Sequence, residues 1–228
     1  MLLTLKPGRT KRMILSIEGN IGAGKSTLMG ALRLHYHDDN RVAFVDEPIG
    51  VWDAVRDENG KTLLELYYAD QERHAFEFQM LALKTRASAI GCKAADKRIK
   101  LVITERDVST DKHVFAKMLN DSGVITATQM QVYDLWFRSV VSGAYRGRVV
   151  NRLYLRTTPE LAAARTSKRA RPGEAAIPSS YHQACHDAHE AWLRDVSGVE
   201  VLRDRGDRPP EEILREAVHH VDRMLGER

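Results

Sequence analysis

Five short apolar runs alternate with longer stretches in which apolar residues return every three or four positions. The runs fall at residues 13–17, 42–46, 101–104, 152–156 and 199–202. Their length and β-prone content suit strands buried on both faces. Between them, a long helix-prone stretch runs from Leu63 to about Cys92. Val114, Phe115, Met118 and Leu119 share one helical face; Met130, Tyr133, Phe137 and Val140 share another. Tyr181, Cys185, Ala188 and Trp192 form a third stripe, and Ile213, Ala217, Val221 and Leu225 a fourth. These stripes read as core. Thr158-Pro159 reads as an N-cap followed by proline at the first helical position. Pro209-Pro210-Glu211-Glu212 opens the last helix with acids where the dipole favours them. This alternation predicts an α/β fold, a parallel sheet covered by helices.

The bulk numbers narrow the class. A chain of 228 residues is long enough for one domain with a full core. No repeat, low-complexity tract or dividing linker interrupts it, so residues 13–228 read as one domain. Residues 1–12 carry Lys6, Arg9, Lys11 and Arg12 and no acid, which reads as a disordered basic tail. A transit peptide is the rival reading, weakened by the short length. No apolar run approaches the ~18 residues of a membrane span, so no membrane partner is expected. The net charge of +4, with both signs interspersed, suits an anionic ligand. Basic and aromatic residues do not interleave as on a nucleic-acid surface, so no nucleic-acid partner is expected. Cys92 and Cys185 lie far apart, without metal-site spacing, and read as reduced thiols. The expected compartment is the cytoplasm, with mitochondrial or virus-encoded origins as alternatives.

Candidate chemistry starts with Ile17-Glu18-Gly19-Asn20-Ile21-Gly22-Ala23-Gly24-Lys25-Ser26-Thr27. It fits G-x-x-x-x-G-K-[ST] between a predicted strand and a predicted helix. Such a loop turns backbone N–H groups around phosphate oxygens, with Lys25 reaching the outer phosphates and Ser26 binding Mg²⁺. The helix N-terminus behind it favours an anion. In a parallel sheet, ligands bind beyond the carboxyl ends of the strands. Two further charged clusters sit at such ends. Glu47-Pro48 follows the second strand, where a carboxylate can take a proton from an alcohol. Trp52 follows and packs either on substrate or in the core. Glu105-Arg106 follows the third strand. Glu105 suits Mg²⁺, directly or through water, and Arg106 can clamp an acceptor or a moving phosphoryl group; a structural Glu–Arg ion pair is the plainer alternative. Arg165, Lys168, Arg169 and Arg171 crowd into seven residues before Gly173 and Glu174. They read as a cationic lid over polyphosphate, against the alternative of a solvated face. His182, His186 and His189 have a spacing that could bind zinc, but no carboxylate or thiolate completes a site.

The phosphate loop, Glu47-Pro48 with Trp52, Phe78-Gln79, Glu105-Arg106, and Arg165-Thr166-Ser167-Lys168-Arg169-Ala170-Arg171 together resemble the deoxynucleoside kinase family. The similarity runs in order from about Met13 to Leu193. It implies a P-loop kinase fold with five parallel strands and an arginine-rich lid, usually as a homodimer. It implies ATP with Mg²⁺ as donor and a deoxynucleoside 5′-hydroxyl as acceptor, in nucleotide salvage. By motif, Glu47 is the base, Arg106 orients the 5′ end, and Lys25 with residues 19–27 holds ATP. Tyr68 and Glu174 hold the sugar 3′-hydroxyl, Gln79 reads the base edge, and Phe115 with Trp52 flanks the base. Arg165, Arg169 and Arg171 grip the donor phosphates, and Ser26 and Glu105 hold the metal. One departure is Asp107, where the family usually has serine; it either tightens metal binding or pairs with a lysine.

Arg86 lies two helical turns after Gln79 on the same face, and Asp111 lies six residues after Glu105. An arginine and an aspartate at these places resemble the deoxycytidine/deoxyguanosine kinase branch. A carboxylate accepts from an exocyclic amino group, whereas thymine presents a carbonyl there. Deoxycytidine and purine deoxynucleosides are therefore favoured, with a broad or viral-type thymidine kinase as the alternative. A nucleoside monophosphate kinase would need further basic residues for the acceptor phosphate. A GTPase-like switch would need N-K-x-D, and no Asn-Lys pair occurs.

Overall fold

The computed structural model describes residues 12–145, 147–171, 174 and 177–226; the basic tail at 1–11 and Gly173 lie outside the described residues. In chain order, β1 (Met13–Glu18) leads through the phosphate loop into α1 (Lys25–His35). β2 (Val42–Val45) is followed by α2 (Ile49–Trp52), α3 (Leu63–Ala69) and α4 (Gln71–Ala95). β3 (Leu101–Glu105) precedes α5 (Val108–Thr110), a π-helical segment Asp111–Ala116, α6 (Lys117–Asp121) and α7 (Ala127–Ala144). β4 (Val149–Thr157), α8 (Pro159–Arg169), α9 (Ser179–Leu193), β5 (Val199–Asp204) and α10 (Pro210–Leu225) complete the chain. The five expected strands form one sheet of order β2-β3-β1-β4-β5, and every pairing is parallel.

Alternation along β1 sorts its side chains between two layers. Leu15 and Ile17 pack with Leu28, Met29 and Leu32 of α1 and with Ile213, Ala217 and Val221 of α10. Ile14 faces the opposite way, onto Leu83 and Ile90 of α4 and Tyr133 of α7. A third cluster, with Trp52, Leu64, Tyr67 and Phe78, roofs the carboxyl end of the sheet near α2 and α3. Thr158 caps α8 ahead of Pro159, and α10 begins at Pro210 with Glu211 and Glu212 in its first turn. Among the described residues no helix is long and apolar enough to cross a membrane.

Three expectations need correction. The stretch from Leu63 to Cys92 is two helices, because Asp70 is extended (φ −148°) and its carboxylate accepts from Arg73 N–H to start α4. A short acid that bonds its neighbours' backbone competes with helix continuation. The face at residues 114–119 is not one regular helix: the π-helical turn widens the spacing. In α9 the buried positions are His182, Cys185, His189 and Leu193, and Trp192 is only half-buried. The apolar stripe is thus completed by two histidines, whose pKa values burial lowers. His189 Nδ1–H donates to the Cys185 carbonyl at 2.7 Å, and the ring stacks on Tyr154.

Burial pushes the His189 pKa down to about 3, with the cations Arg106 and Lys25 adding to the effect and the Cys185 bond opposing it. The folded value lies below the ordinary 6.5, so this group's stabilisation is present above pH ~6.5 and fades as pH falls toward 3. In that window it costs up to ~1.4 kcal/mol per pH unit. His189→Gln should lower the melting temperature at pH 7.5 but flatten its decline between pH 6.5 and 4.5. A decline parallel to that of the native chain contradicts this account.

Candidate active site

The phosphate loop is held open from below. Gly22 has φ +80°, and a Cβ there would lie 2.2 Å from the Ala162 carbonyl oxygen and 2.5 Å from Thr166 Oγ1. The loop therefore rests on α8, an approach that only glycine permits. Asn20 braces the loop, donating from Nδ2 to the His182 carbonyl at 2.8 Å and accepting from Ile21 N–H at 2.8 Å. Lys25 is buried and donates to the Asn20 carbonyl at 2.8 Å. Gly24 caps α1, whose first turn carries no acid, so the positive helix end faces the loop uncompensated. Burial first, then the neighbouring Arg106, pulls the Lys25 pKa down to about 7, against the pull of Glu105 and Glu47. A polyphosphate in the loop restores the ammonium.

β1 and β3 are neighbours with Ile17 opposite Glu105, so the third strand delivers its acid beside the loop. Ser26 Oγ donates to Glu105 Oε1 at 3.1 Å, and Lys25 Nζ lies 3.9 Å from the same oxygen. A hydroxyl and a carboxylate oxygen beside a phosphate cradle are hard donors that suit Mg²⁺. Arg106 takes a left-handed backbone (φ 60°), which swings its side chain across the rim. Its Nη1 donates to Glu47 Oε1 at 2.9 Å and its Nη2 to the Gly19 carbonyl at 3.2 Å. The structural Glu105–Arg106 pair is not what forms: Arg106 is bonded to Glu47.

Glu47 is shared. Arg86 Nη2 donates to the same Oε1 at 3.2 Å. Arg86 is buried and also donates to the Glu105 carbonyl at 2.8 Å and, from Nε, to Asp111 Oδ2 at 3.0 Å. Burial alone would raise the Glu47 pKa; Arg106, Arg86 and Lys25 overcome it and hold the carboxyl at about 2. Burial also raises the Asp111 pKa from its ordinary value, although Arg86 opposes it. Trp52 lies beneath the Arg86 guanidinium at 5.7 Å, and Phe115 beneath that of Arg106 at 5.2 Å. Trp52 is buried in the roof cluster and anchored through Nε1–H to Thr85 Oγ1 at 2.9 Å. Gln79 is buried, with its Oε1 unpartnered among the described residues.

These residues surround two cavities that meet. One is lined by Glu47, Trp52, Tyr68, Gln79, Arg86, Arg106, Asp111, Phe115 and Glu174. The other is lined by residues 22–27 and by Arg165, Lys168, Arg169, Arg171 and, across it, Arg208 and Pro210. Gly22, Lys25, Glu105, Arg169 and Arg171 line both. The three predicted lid arginines are held by carboxylates. Arg169 donates to both oxygens of Glu174, at 2.6 and 3.0 Å, and Arg171 to one at 3.4 Å. Arg165 donates to Asp204 Oδ2 at 2.7 Å and so ties the lid helix to β5.

Asp107 departs from both readings of it. It lines neither cavity, and its cationic partner is Arg152, at 3.3 Å, rather than a lysine. The sequence reading missed Glu18, the last residue of β1. It is fully buried and accepts from Ser16 Oγ and, at 2.7 Å, from Thr110 Oγ1. Burial, then the nearby Asp107, pushes its pKa up to about 7. Its one sequence signal was an acid at the end of an otherwise apolar strand. Tyr67 and Tyr181, whose hydroxyls meet at 2.8 Å in the wall of the acceptor cavity, carried no signal beyond apolar periodicity.

A phosphate cradle that shares one lysine and two arginines with an adjoining acceptor cavity is the plan of a P-loop kinase. The family profile described as deoxynucleoside kinase matches residues 15–224. A probable deoxycytidine kinase of fowlpox virus is 35% identical over 200 residues, covering 85% of this chain and 78% of the viral protein. Deoxycytidine kinase 2 of Gallus gallus is 34% identical over 197 residues, covering 78% and 73%. The mitochondrial deoxyguanosine kinase of Xenopus laevis is 29% identical over 194 residues, covering 78% and 72%. The chain belongs to the deoxynucleoside kinase family, and its activity is that of a deoxynucleoside kinase.

The packing of the loop gives a direct test. Gly22→Ala places a methyl against the α8 backbone at a left-handed φ, so the loop must lift. This should cost ~2 kcal/mol or more, or about 4–8 °C in melting temperature, with ATP affinity falling as well. Thermal melts and ATP titration read both; an unperturbed variant would show that the loop does not rest on α8.

Proposed function

We propose that this kinase transfers the γ-phosphate of ATP, with Mg²⁺, to the 5′-hydroxyl of deoxycytidine and of purine deoxynucleosides. The observation that carries the reading is Glu47 in the wall of the acceptor cavity, bonded to Arg106 and Arg86 and kept ionised by them. An alcohol entering the acceptor cavity finds a carboxylate able to accept its proton. The transition state of phosphoryl transfer is loose, so orienting the hydroxyl and receiving the proton late are the main tasks of such a base. Lys25, Arg169 and Arg171 line both cavities, where charge spreads over the moving phosphoryl oxygens. Ser26 and Glu105 would hold Mg²⁺, which supplies charge neutralisation between the phosphates. In this reading Arg106 orients the 5′ end, Tyr68 and Glu174 take the sugar 3′-hydroxyl, and Trp52 and Phe115 flank the base. Glu174 then leaves Arg169 and Arg171 at least in part as substrates bind, freeing both guanidinium groups for the donor phosphates.

Base preference follows from the wall opposite. Asp111 is bonded to Arg86 through Nε, and its oxygens retain lone pairs for an exocyclic amino group. Gln79 Oε1 is a second unsatisfied acceptor in the same cavity. Acceptors lining one cavity suit a base edge that donates, as cytosine and adenine do. Thymine would set a carbonyl against them, a mismatch of ~1–3 kcal/mol, or roughly tenfold to a hundredfold in rate. The relatives described as deoxycytidine and deoxyguanosine kinases agree with this direction. A homodimer fits as well. Val132, Leu135 and Trp136 of α7 are 39%, 62% and 53% exposed and form one apolar face that a second copy would cover. We read residues 13–228 as one domain and, with both cysteines free, place the enzyme in cytoplasmic salvage.

Steady-state rates on the four deoxynucleosides test the preference. Deoxycytidine and the purine deoxynucleosides should exceed thymidine by about tenfold or more in kcat/KM. Replacing the pair together, Asp111→Ala with Arg86→Met, strands neither member of the pair, leaves Glu47 bonded to Arg106, and should shift the ratio toward thymidine. An unchanged profile removes the base-reading role of the pair.

A further inference from the structure

Asp107 and Arg152 have no part in either cavity, yet both are buried where three elements meet. Asp107 Oδ1 accepts from Ser109 N–H at 2.8 Å and Thr110 N–H at 3.2 Å, so it starts α5. Its Oδ2 accepts from Arg152 Nη2 at 3.3 Å, and the same nitrogen donates to Ser109 Oγ at 3.2 Å. Arg152 stands on β4, two strands away from β3 across β1. Its guanidinium lies over the Trp192 ring of α9 at 5.0 Å. Trp192 in turn stacks on His113 at 5.6 Å and 14°. His113 belongs to the π-helical segment that also carries Asp111 and Phe115. Arg152 therefore holds that segment twice, at its entry through Asp107 and at its flank through Trp192 and His113.

We propose that Asp107 and Arg152 are a positioning pair that fixes the π-helical segment and so sets Asp111 and Phe115 against the nucleobase. The inference rests on the reading of those two residues as the base wall. A wide helical turn bonds its own backbone less well than an α-turn, and its geometry must be imposed from outside. A buried ion pair contributes little net stability but penalises every arrangement in which its partners part. The second carboxylate nearby sharpens this: Glu18 is bonded to Thr110, so without the guanidinium two buried acids would share the junction. Asp111 begins one residue later, so a shift at Thr110 moves it directly.

The experiment is steady-state kinetics on each of the four deoxynucleosides and on ATP for Arg152→Gln, Arg152→Lys and Asp107→Ser, with Asp111→Ala as control. Arg152→Gln should raise the nucleoside KM by roughly fivefold to twentyfold and narrow the ratio between bases, leaving kcat and the ATP KM within about twofold. Arg152→Lys keeps a cation beside Asp107 and should recover much of the loss; should the glutamine variant not fold, the lysine variant's smaller KM rise carries the test. Asp107→Ser added to Arg152→Gln should cost less than the sum of the two, because the pair acts as a unit. A fall in melting temperature with unchanged nucleoside KM and unchanged base ratio overturns the proposal and leaves only a structural role. If Asp111→Ala also leaves the base ratio unchanged, the base-wall reading fails along with it; if Asp111→Ala alone changes the ratio, the wall stands and the positioning pair does not.

Discussion

One carboxylate oxygen organises this active site. Oε1 of Glu47 accepts from Arg106 and from Arg86, and each arginine carries that contact into a different part of the molecule. Arg106 continues to the Gly19 carbonyl at the start of the phosphate loop. Arg86 continues to Asp111 and to the backbone of β3. This carboxylate is thereby linked to the phosphate loop on one side and to Asp111 on the other. Burial by itself would neutralise this acid; the surrounding cations keep it ionised. The energetic gain of so many buried charges is small, and what they supply is geometry: the oxygen has one place to be.

The fold explains why the network forms there. A parallel sheet releases all its strands at one edge, and the order β2-β3-β1-β4-β5 sets the loop after β1 beside the end of β3. Glu47, the phosphate loop and Glu105-Arg106 leave three strands at that edge. α4 crosses above them, bringing Arg86 down onto the seam and Gln79 into the acceptor cavity. The left-handed backbone of Arg106 is the local strain that makes the crossing contact possible.

Much of this was legible in the amino-acid order. The strands are centred on short runs of mostly apolar residues, so these stood out. Their ends did not, because Glu18, Glu105 and Asp204 are strand residues that look like loop acids. β4 begins at Val149, three residues before the expected start at Arg152, because the polar Asn151 and Arg152 interrupt the apolar pattern there. The apolar stripe of α9 leaves out its histidines, yet His182 and His189 are core. The break at Asp70 and the widened turn at Asp111 depend on hydrogen bonds that spacing does not record. The phosphate loop, Glu47-Pro48 and Glu105-Arg106 are each contiguous in the chain, so local order alone brings their residues together. Thr110 meeting Glu18 from 92 residues away, and Arg152 meeting Asp107 from 45 away, depend on strand order and were not visible.

The central claim is that Glu47 acts on the acceptor hydroxyl rather than merely neutralising the arginines. Glu47→Gln keeps the shape and a hydrogen-bond acceptor for Arg106 while removing the proton-accepting charge. Turnover on the best deoxynucleoside should fall by ~10²-fold or more, with ATP binding, measured separately by titration, nearly unchanged. A variant that binds ATP and turns over at the native rate would contradict the account.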